Sequence, residues 1–142
     1  MVDISDKAIT KRVAVAQGTF QTTAEVLALL ASDGLPKGDA LATARIAGIM
    51  AAKRTPDLIP LCHPLALTSV SVELVLGSSH IDVTARIATT GKTGAEMEAL
   101  TAVAVTGLTL HDMVKAVDPG ASMTNIRVTS KDGGKTGKWE QA

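Results

Sequence analysis

The stretch VSVELVLGSSHIDVTARI, residues 70–87, decides how this chain folds. Apolar residues occupy every second position from Val70 to Leu76 and again from Ile81 to Ile87. Such alternation is typical of strands that bury one face, and the residues GSSH between the two runs suit a hairpin turn. We therefore predict an antiparallel hairpin whose apolar face must be covered by other elements.

Three elements are predicted before this hairpin. Residues 12–17 alternate and predict a strand. Residues 22–25 have the spacing of a capping box, and the apolar residues after them predict a short helix that stops at Gly34. A second helix is predicted over residues 40–54, with Asp39 as its N-cap.

A ridge of small residues runs along this second helix, because they recur at every fourth position. They are Ala40, Ala44, Gly48 and Ala52. Residues four apart are neighbours on a helix surface. We predict that another backbone lies closely against this ridge.

Two elements are predicted after the hairpin. Thr93 to Glu96 repeats the capping-box spacing and predicts a long helix that runs through Asp118 and ends at Pro119. Residues 126–128 predict a last short strand. The chain is expected to form a single domain over residues 1–142, in which residues 1–11 and 131–142 are flexible.

The order strand, two helices, strand, strand, helix, strand matches a known arrangement. It predicts an α+β fold of the ferredoxin-like, split β-α-β type, with helices packed on one face of an antiparallel sheet. The other face of such a sheet is bare. We therefore expect the chain to form an oligomer.

The amino-acid composition argues against several classes of function. Hydrophobic residues make up 46% of the chain, but there are only one Phe, one Trp and no Tyr. Fourteen basic and fourteen acidic residues cancel, so a nucleic-acid surface is not expected. Cys62 is the only cysteine and no apolar run approaches the length of a membrane span. We expect a cytoplasmic protein without membrane contact.

Residues 57–64, DLIPLCHP, predict a stiff loop because Pro60 and Pro64 cannot lie inside a helix or a central strand. The loop presents His63, and such loops often carry binding residues. Cys62 is interpreted as a small buried hydrophobic residue.

Two kinds of site are not indicated. The three histidines are far apart, and neither H-E-x-x-H nor paired cysteines occur, so no metal site is expected. GKTG occurs at 91–94 and 134–137, but Arg86 and Thr129 stand where a P-loop needs its first glycine. Both segments still offer a lysine and backbone N–H groups to an anion.

Two carboxylate patterns are open to both a structural and a chemical interpretation. Glu96 is explained by the capping box, whereas Glu98 is not and is a candidate acceptor for the donor edge of a purine-like ring. Asp112 and Lys115 are neighbours on one helix face. From spacing alone, an exposed ion pair is favoured over an acid–base couple.

Longer motifs then point to one family. They are KGD (37–39), ATARIAGI (42–49), AAKRT (51–55), LIPLCHP (58–64), TGKTGAEMEALT (90–101) and DMVKAV (112–117). On these motifs, from about residue 2 to 137, the chain resembles the cyclic pyranopterin monophosphate synthases of molybdenum-cofactor biosynthesis.

The resemblance implies a reaction and an assembly. The family is a lyase that converts 3′,8-cyclo-7,8-dihydroguanosine 5′-triphosphate into cyclic pyranopterin monophosphate and releases diphosphate. The implied assembly is a hexamer, a trimer of dimers, with active sites at the dimer interface. No cofactor is required, and Mg²⁺ bound to the triphosphate is the one ion allowed.

The resemblance also assigns residues. Asp112 matches the catalytic acid/base and Lys115 its catalytic neighbour. The positions matching substrate-binding residues are Leu61, Cys62, His63, Met97, Glu98, Lys37, Lys53, Arg12 and Lys135. Pro56 stands where the family often has a bulky aromatic residue.

Helix geometry bears on the interfacial site. Glu98 and Asp112 are fourteen residues apart on one predicted helix, or about 21 Å. We hypothesise that one site takes these residues from two chains. The alternative class is a non-catalytic module that holds a nucleotide or a partner, and such a module tolerates Asn at Asp112 and Gln at Lys115.

Overall fold

The computed structural model describes all 142 residues and contains a five-stranded sheet and four helices. In chain order the elements are β1 (Thr10–Gln21), α1 (Ala24–Ala31), α2 (Ala40–Lys53), α3 (Thr55–Leu58), β2 (Leu67–Leu76), β3 (His80–Gly91), α4 (Glu96–Val114), β4 (Ser122–Asp132) and β5 (Trp139–Glu140).

The sheet has the strand order β2-β3-β1-β4-β5, and every neighbouring pair is antiparallel. Its first four strands have the ferredoxin-like order, so the predicted α+β fold is confirmed. Val72 and Leu74 of β2 are buried, as are Ile81 and Val83 of β3. The alternating stretch at residues 70–87 therefore forms the predicted hairpin of β2 and β3.

Helices α2 and α4 pack against each other over the sheet, and the small-residue ridge lies in their contact. Ala40, Ala44, Gly48 and Ala52 are all buried. A Cβ atom on Gly48 would overlap the hydroxyl of Thr106 and lie 3.0 Å from the carbonyl oxygen of Ala102. The predicted close approach of a second backbone is confirmed, and α4 is that backbone.

We expect Gly48→Ala to destabilise the chain by about 1–2 kcal/mol, because overpacking outweighs the gain of about 1 kcal/mol in helix propensity. The measurement is urea unfolding. The control is Gly120→Ala in a turn, where the new Cβ would lie no closer than 3.4 Å to its nearest neighbour, Asp118 Oδ1. A Gly48→Ala chain at least as stable as the wild type would contradict the packing described.

Several predicted boundaries were wrong. The N-cap of α1 is Thr23, whose side chain accepts from the Val26 amide. Helix α4 begins at Glu96 without a side-chain cap, and it ends at Val114, before Pro119. The capping box assigned to Glu96 does not form.

Four further elements were underestimated or missed. The strand predicted at 126–128 is the centre of the much longer β4, and β1 extends beyond 12–17 at both ends. Residues 55–58 form the short helix α3 at the start of the predicted loop. Trp139 pairs with Lys131, so part of the predicted flexible end is the strand β5. None of the helices combines the length and the apolar character needed to cross a membrane.

Candidate active site

Helix α4 carries functional candidates at both of its ends. Glu98 lies in its first turn and Asp112 near its last. The helix is unbroken, so the two residues are about 21 Å apart along its axis. Each lies in a separate group of side chains, described below as the Glu98 cavity and the Asp112 cluster.

The Glu98 cavity has a volume of about 520 Å³. The loop after α3 and the start of α4 form its walls. Five of the predicted binding residues line it together: Leu61, Cys62, His63, Met97 and Glu98. The structure thus places these five side chains around one cavity, and their contact with a substrate stays a prediction.

Glu98 is buried, with 3% of its surface exposed. Burial raises the pKa of its carboxyl above the usual range for glutamate, and the nearby charge of Glu96 acts in the same direction. Burial, followed by the charge of Glu98, also raises the pKa of the Cys62 thiol. Cys62 is only half-buried and lines the cavity, so its interpretation as a core residue was wrong.

The raised pKa of Glu98 predicts how stability depends on pH. Folding favours the protonated acid, so this contribution is fully present below the unfolded pKa and is lost as pH rises through the folded pKa. Glu98→Gln stays neutral at every pH. It is expected to melt on the order of 3 °C above the wild type at pH 8 and level with it near pH 4.

Melting curves between these pH values test that expectation. Glu73→Gln is the matched control, because Glu73 is an exposed glutamate on β2. A gap between Glu98→Gln and wild type that stays constant with pH would show that folding does not raise the pKa of this carboxyl.

The N-terminal segment lies over the Glu98 cavity. Val2, Ile4 and Lys7 belong to its lining. His63 donates from Nε2 to the carbonyl oxygen of Val2 at 2.7 Å, and Lys92 donates to that of Ser5 at 2.9 Å. His63 is therefore held toward the chain's own backbone, and a ligand that uses its Nε2 must displace that carbonyl.

The Asp112 cluster joins three residues from two parts of the chain. Lys37, in the turn before α2, approaches Asp112 Oδ2 to 2.7 Å, and Lys115 approaches Oδ1 to 2.9 Å. About half of each side chain is exposed. The hydrogen bonds from Lys37 and then Lys115 lower the pKa of Asp112 to about 2, so this carboxylate is ionised at neutral pH.

Arg12 and Lys135 line another cavity, of about 410 Å³, together with Lys7. We call this the cationic cavity. Arg12 donates from Nε to the carbonyl oxygen of Gly91 at 3.1 Å. Gly134 has φ 75°, and a Cβ there would overlap the Arg12 guanidinium. The positive φ of Gly134 is strained for any residue with a side chain, so glycine suits this position beside Arg12.

Lys53 lies apart from the other predicted residues. It lines a groove between α2 and β2 with Ile49, Leu65 and residues 67–70. One chain thus groups the predicted residues into the Glu98 cavity, the Asp112 cluster, the cationic cavity and this groove. The structure of one chain does not bring them into a single site.

Lys131 was not among the predicted site residues. Its ammonium group is 3.1 Å from Glu96 Oε1, and both residues line a small cavity with Arg12. Lys131 was assigned to a flexible end because Gly and Lys residues follow it. Its place in β4 depends on pairing with β1, which leaves no local signal in the sequence.

No group of three or more His, Cys, Asp or Glu side chains in the chain is placed to hold a metal ion. Mg²⁺ carried by a substrate's phosphates is a separate question and stays a prediction.

Comparison with known proteins identifies the family of this chain. Residues 1–134 match the MoaC family. The chain belongs to the MoaC family. A cyclic pyranopterin monophosphate synthase 2 of Mycobacterium bovis is 63% identical over 139 residues, which cover 98% of this chain and 83% of that protein.

Other MoaC relatives agree. The cyclic pyranopterin monophosphate synthase of Rhodospirillum rubrum is 58% identical over 98% of this chain and 85% of its own length. That of Streptomyces coelicolor is 56% identical over 100% of this chain and 84% of its own length. The recognition made from the motifs is confirmed, and the MoaC match includes both ends of α4.

Proposed function

We propose that this chain is a lyase that converts 3′,8-cyclo-7,8-dihydroguanosine 5′-triphosphate into cyclic pyranopterin monophosphate and diphosphate. The names of its relatives support this reaction. The structural observation that carries the proposal is Asp112 held between Lys37 and Lys115 beside open solvent. A carboxylate and an ammonium in contact can take up and give back protons during ring opening and closure.

The electrostatics of the Asp112 cluster suggest how a substrate changes it. In the free chain Asp112 is a weak base, because its pKa is lowered to about 2. A phosphate that draws Lys37 away removes the largest cause of that lowering. The pKa of Asp112 then rises toward 3.8, and the carboxylate becomes a better proton acceptor when substrate is bound.

The basic residues are proposed to stabilise the negative charge of the leaving diphosphate. Departure of diphosphate needs positive charge near the leaving oxygens. Lys37, Lys53 and Arg12 are proposed to provide it, while His63 positions a phosphate or a sugar hydroxyl. Glu98 and Cys62 are proposed to face the guanine-derived ring, where a raised pKa suits hydrogen bonding to a ring nitrogen or amino group.

We propose that each active site combines the Glu98 cavity of one chain with the Asp112 cluster of another. The separation of about 21 Å on a straight helix supports this, since one nucleotide hardly spans it. Exposed apolar side chains on the helical layer also favour association, among them Ile46 and Leu108, at 59% and 68% exposure. The assembly proposed is a hexamer built as a trimer of dimers.

The proposal also includes the cofactor requirement and the cellular location of the protein. No protein-bound cofactor is proposed, and Mg²⁺ on the triphosphate fits the substrate's charge. A cytoplasmic location is supported by the single, free Cys62.

The direct test is incubation of the purified chain with the cyclised guanosine triphosphate. Mass spectrometry should detect the pterin product, and diphosphate should appear in equal amount. A chain that binds this compound without forming either product is a binding module, and the proposed function is then wrong.

A further inference from the structure

The last turn of α4 carries Asp112 and leads directly into Lys115, and few backbone hydrogen bonds hold it. The amide of Lys115 donates to the carbonyl oxygen of His111 at 2.9 Å. The next amide, that of Ala116, forms no backbone hydrogen bond. Helix ends of this kind fray. Since both side chains of the pair are about half exposed, packing alone does not fix the 2.9 Å contact between them.

The side chain of His111 fastens this turn to the rest of the fold. Its Nδ1 lies 2.8 Å from the carbonyl oxygen of Ala121. A carbonyl oxygen only accepts hydrogen bonds, so Nδ1 carries the proton and donates. Ala121 is buried and directly precedes β4, which pairs with β1 in the sheet. The bond therefore links the last turn of α4 to the start of a strand.

A second tie holds the middle of the connection between α4 and β4. Asp118 accepts from the hydroxyl of Thr22 at 2.9 Å and from the amide of Gly120 at 3.1 Å. Residues 115–121 are thus held at their middle by Asp118 and at their end by His111. Because this loop begins with the lysine of the proposed acid–base pair, its ties determine where that ammonium group lies.

The geometry of the pair matters for the chemistry proposed above. A group that gives or takes a proton must stay within hydrogen-bond reach of its partner. A misplacement of about 1 Å costs up to about 100-fold in rate. His111 precedes Asp112 in the chain and lies one helical turn before Lys115, so it is placed to control the backbone of both residues.

We propose that His111 is a positioning residue, whose hydrogen bond to Ala121 holds the last turn of α4 so that Lys115 stays in contact with Asp112. The inference rests on the proposed function for the reaction in which this pair acts. With the bond in place, the ammonium and the carboxylate are already together when substrate arrives. Without it the turn frays, and the pair forms only part of the time.

Two substitutions of His111 form a matched pair. Leu and Asn have nearly the same shape, and neither carries the charge of a protonated imidazole. The amide nitrogen of Asn is bonded to Cγ, as Nδ1 of His is, so His111→Asn can still donate to Ala121 and His111→Leu cannot. Thr109→Val is the control elsewhere on α4, because the hydroxyl of Thr109 donates to the carbonyl oxygen of Val105 at 2.8 Å.

The first measurement is the rate of diphosphate release over a range of substrate concentrations. We expect His111→Leu to lower kcat about tenfold at unchanged KM, because the pair is misplaced while the groups that bind substrate remain. His111→Asn and Thr109→Val should keep wild-type values. Melting curves identify the folded fraction of each variant, and a purely structural role of His111 would lower the melting temperature without lowering kcat of the folded chain.

The second measurement needs no substrate. The carboxyl of Asp112 is titrated by ¹³C NMR in both His111 variants. In the wild type, the hydrogen bonds from Lys37 and then Lys115 lower the pKa of Asp112 to about 2. A loosened Lys115 weakens one of these bonds, so the pKa of Asp112 should be higher in His111→Leu than in His111→Asn.

Each outcome decides the inference. Wild-type kcat in His111→Leu, or the same pKa of Asp112 in His111→Leu and His111→Asn, overturns it. An equal loss of kcat in the two variants also overturns it, because the hydrogen bond to Ala121 is then not what matters. A chain that releases no diphosphate contradicts the proposed function, whereas the titration still decides whether His111 positions Lys115.

Discussion

Replacement of Lys115 by alanine, or of Asp112 by asparagine, is expected to lower turnover by about 10²–10⁴-fold, the usual contribution of a general acid or base. Lys115 is one of two groups that hold Asp112 ionised, and each of the two residues is the other's proton-transfer neighbour in the proposed chemistry. Formation of pterin and release of diphosphate, followed by mass spectrometry, give the measurement.

The same variants should remain folded. Asp112 and Lys115 are each about half exposed, and exposed ion pairs contribute little to stability. Asp82→Asn is the matched control, because Asp82 is also exposed and its partner is His80. Wild-type rates in Asp112→Asn and Lys115→Gln would remove the acid–base couple from the proposal, whereas a wild-type chain that binds the compound without turnover would support the non-catalytic module.

Mixing two inactive proteins is expected to restore activity. Glu98→Ala damages the Glu98 cavity and Asp112→Ala damages the Asp112 cluster. If each site takes one of these from each chain of a two-fold dimer, a mixed dimer has one site with both defects and one site with none. Random exchange makes half of the dimers mixed, so about one quarter of wild-type activity should return.

The experiment requires exchange of subunits, achieved by unfolding and refolding the two variants together. Each variant refolded alone is the control, and it should stay inactive. A mixture that also stays inactive, although native mass spectrometry shows mixed oligomers, would place Glu98 and Asp112 in one chain's site. The straight helix between them would then need another explanation.

The parts of the fold that could be predicted from sequence are those with local signals. The β2–β3 hairpin follows from alternation of apolar residues, and the contact between α2 and α4 follows from the repeat that includes Gly48. Boundaries set by distant residues could not be predicted. Glu96 was assigned to a capping box with Thr93, three positions before it, but its partner is Lys131, 35 residues away. The strand β5 likewise depends on backbone pairing of Trp139 with Lys131.

The candidate site likewise contains residues that local motifs indicated and residues that only distant contacts bring into place. The motif around Cys62 and His63 and the motif around Glu98 indicated candidate residues, and the structure brings these together in one cavity. Lys37 was placed on the turn before α2, but its contact with Asp112 spans 75 positions.

The straightness of α4 has a mechanical consequence in a two-chain site. Helix α4 of one chain would then contribute Glu98 to one active site and Asp112 to another. A shift of α4 along its axis that moves Glu98 into the first site would move Asp112 out of the second. In the proposed dimer, binding of substrate at one site would therefore change the geometry of the other site through α4 itself.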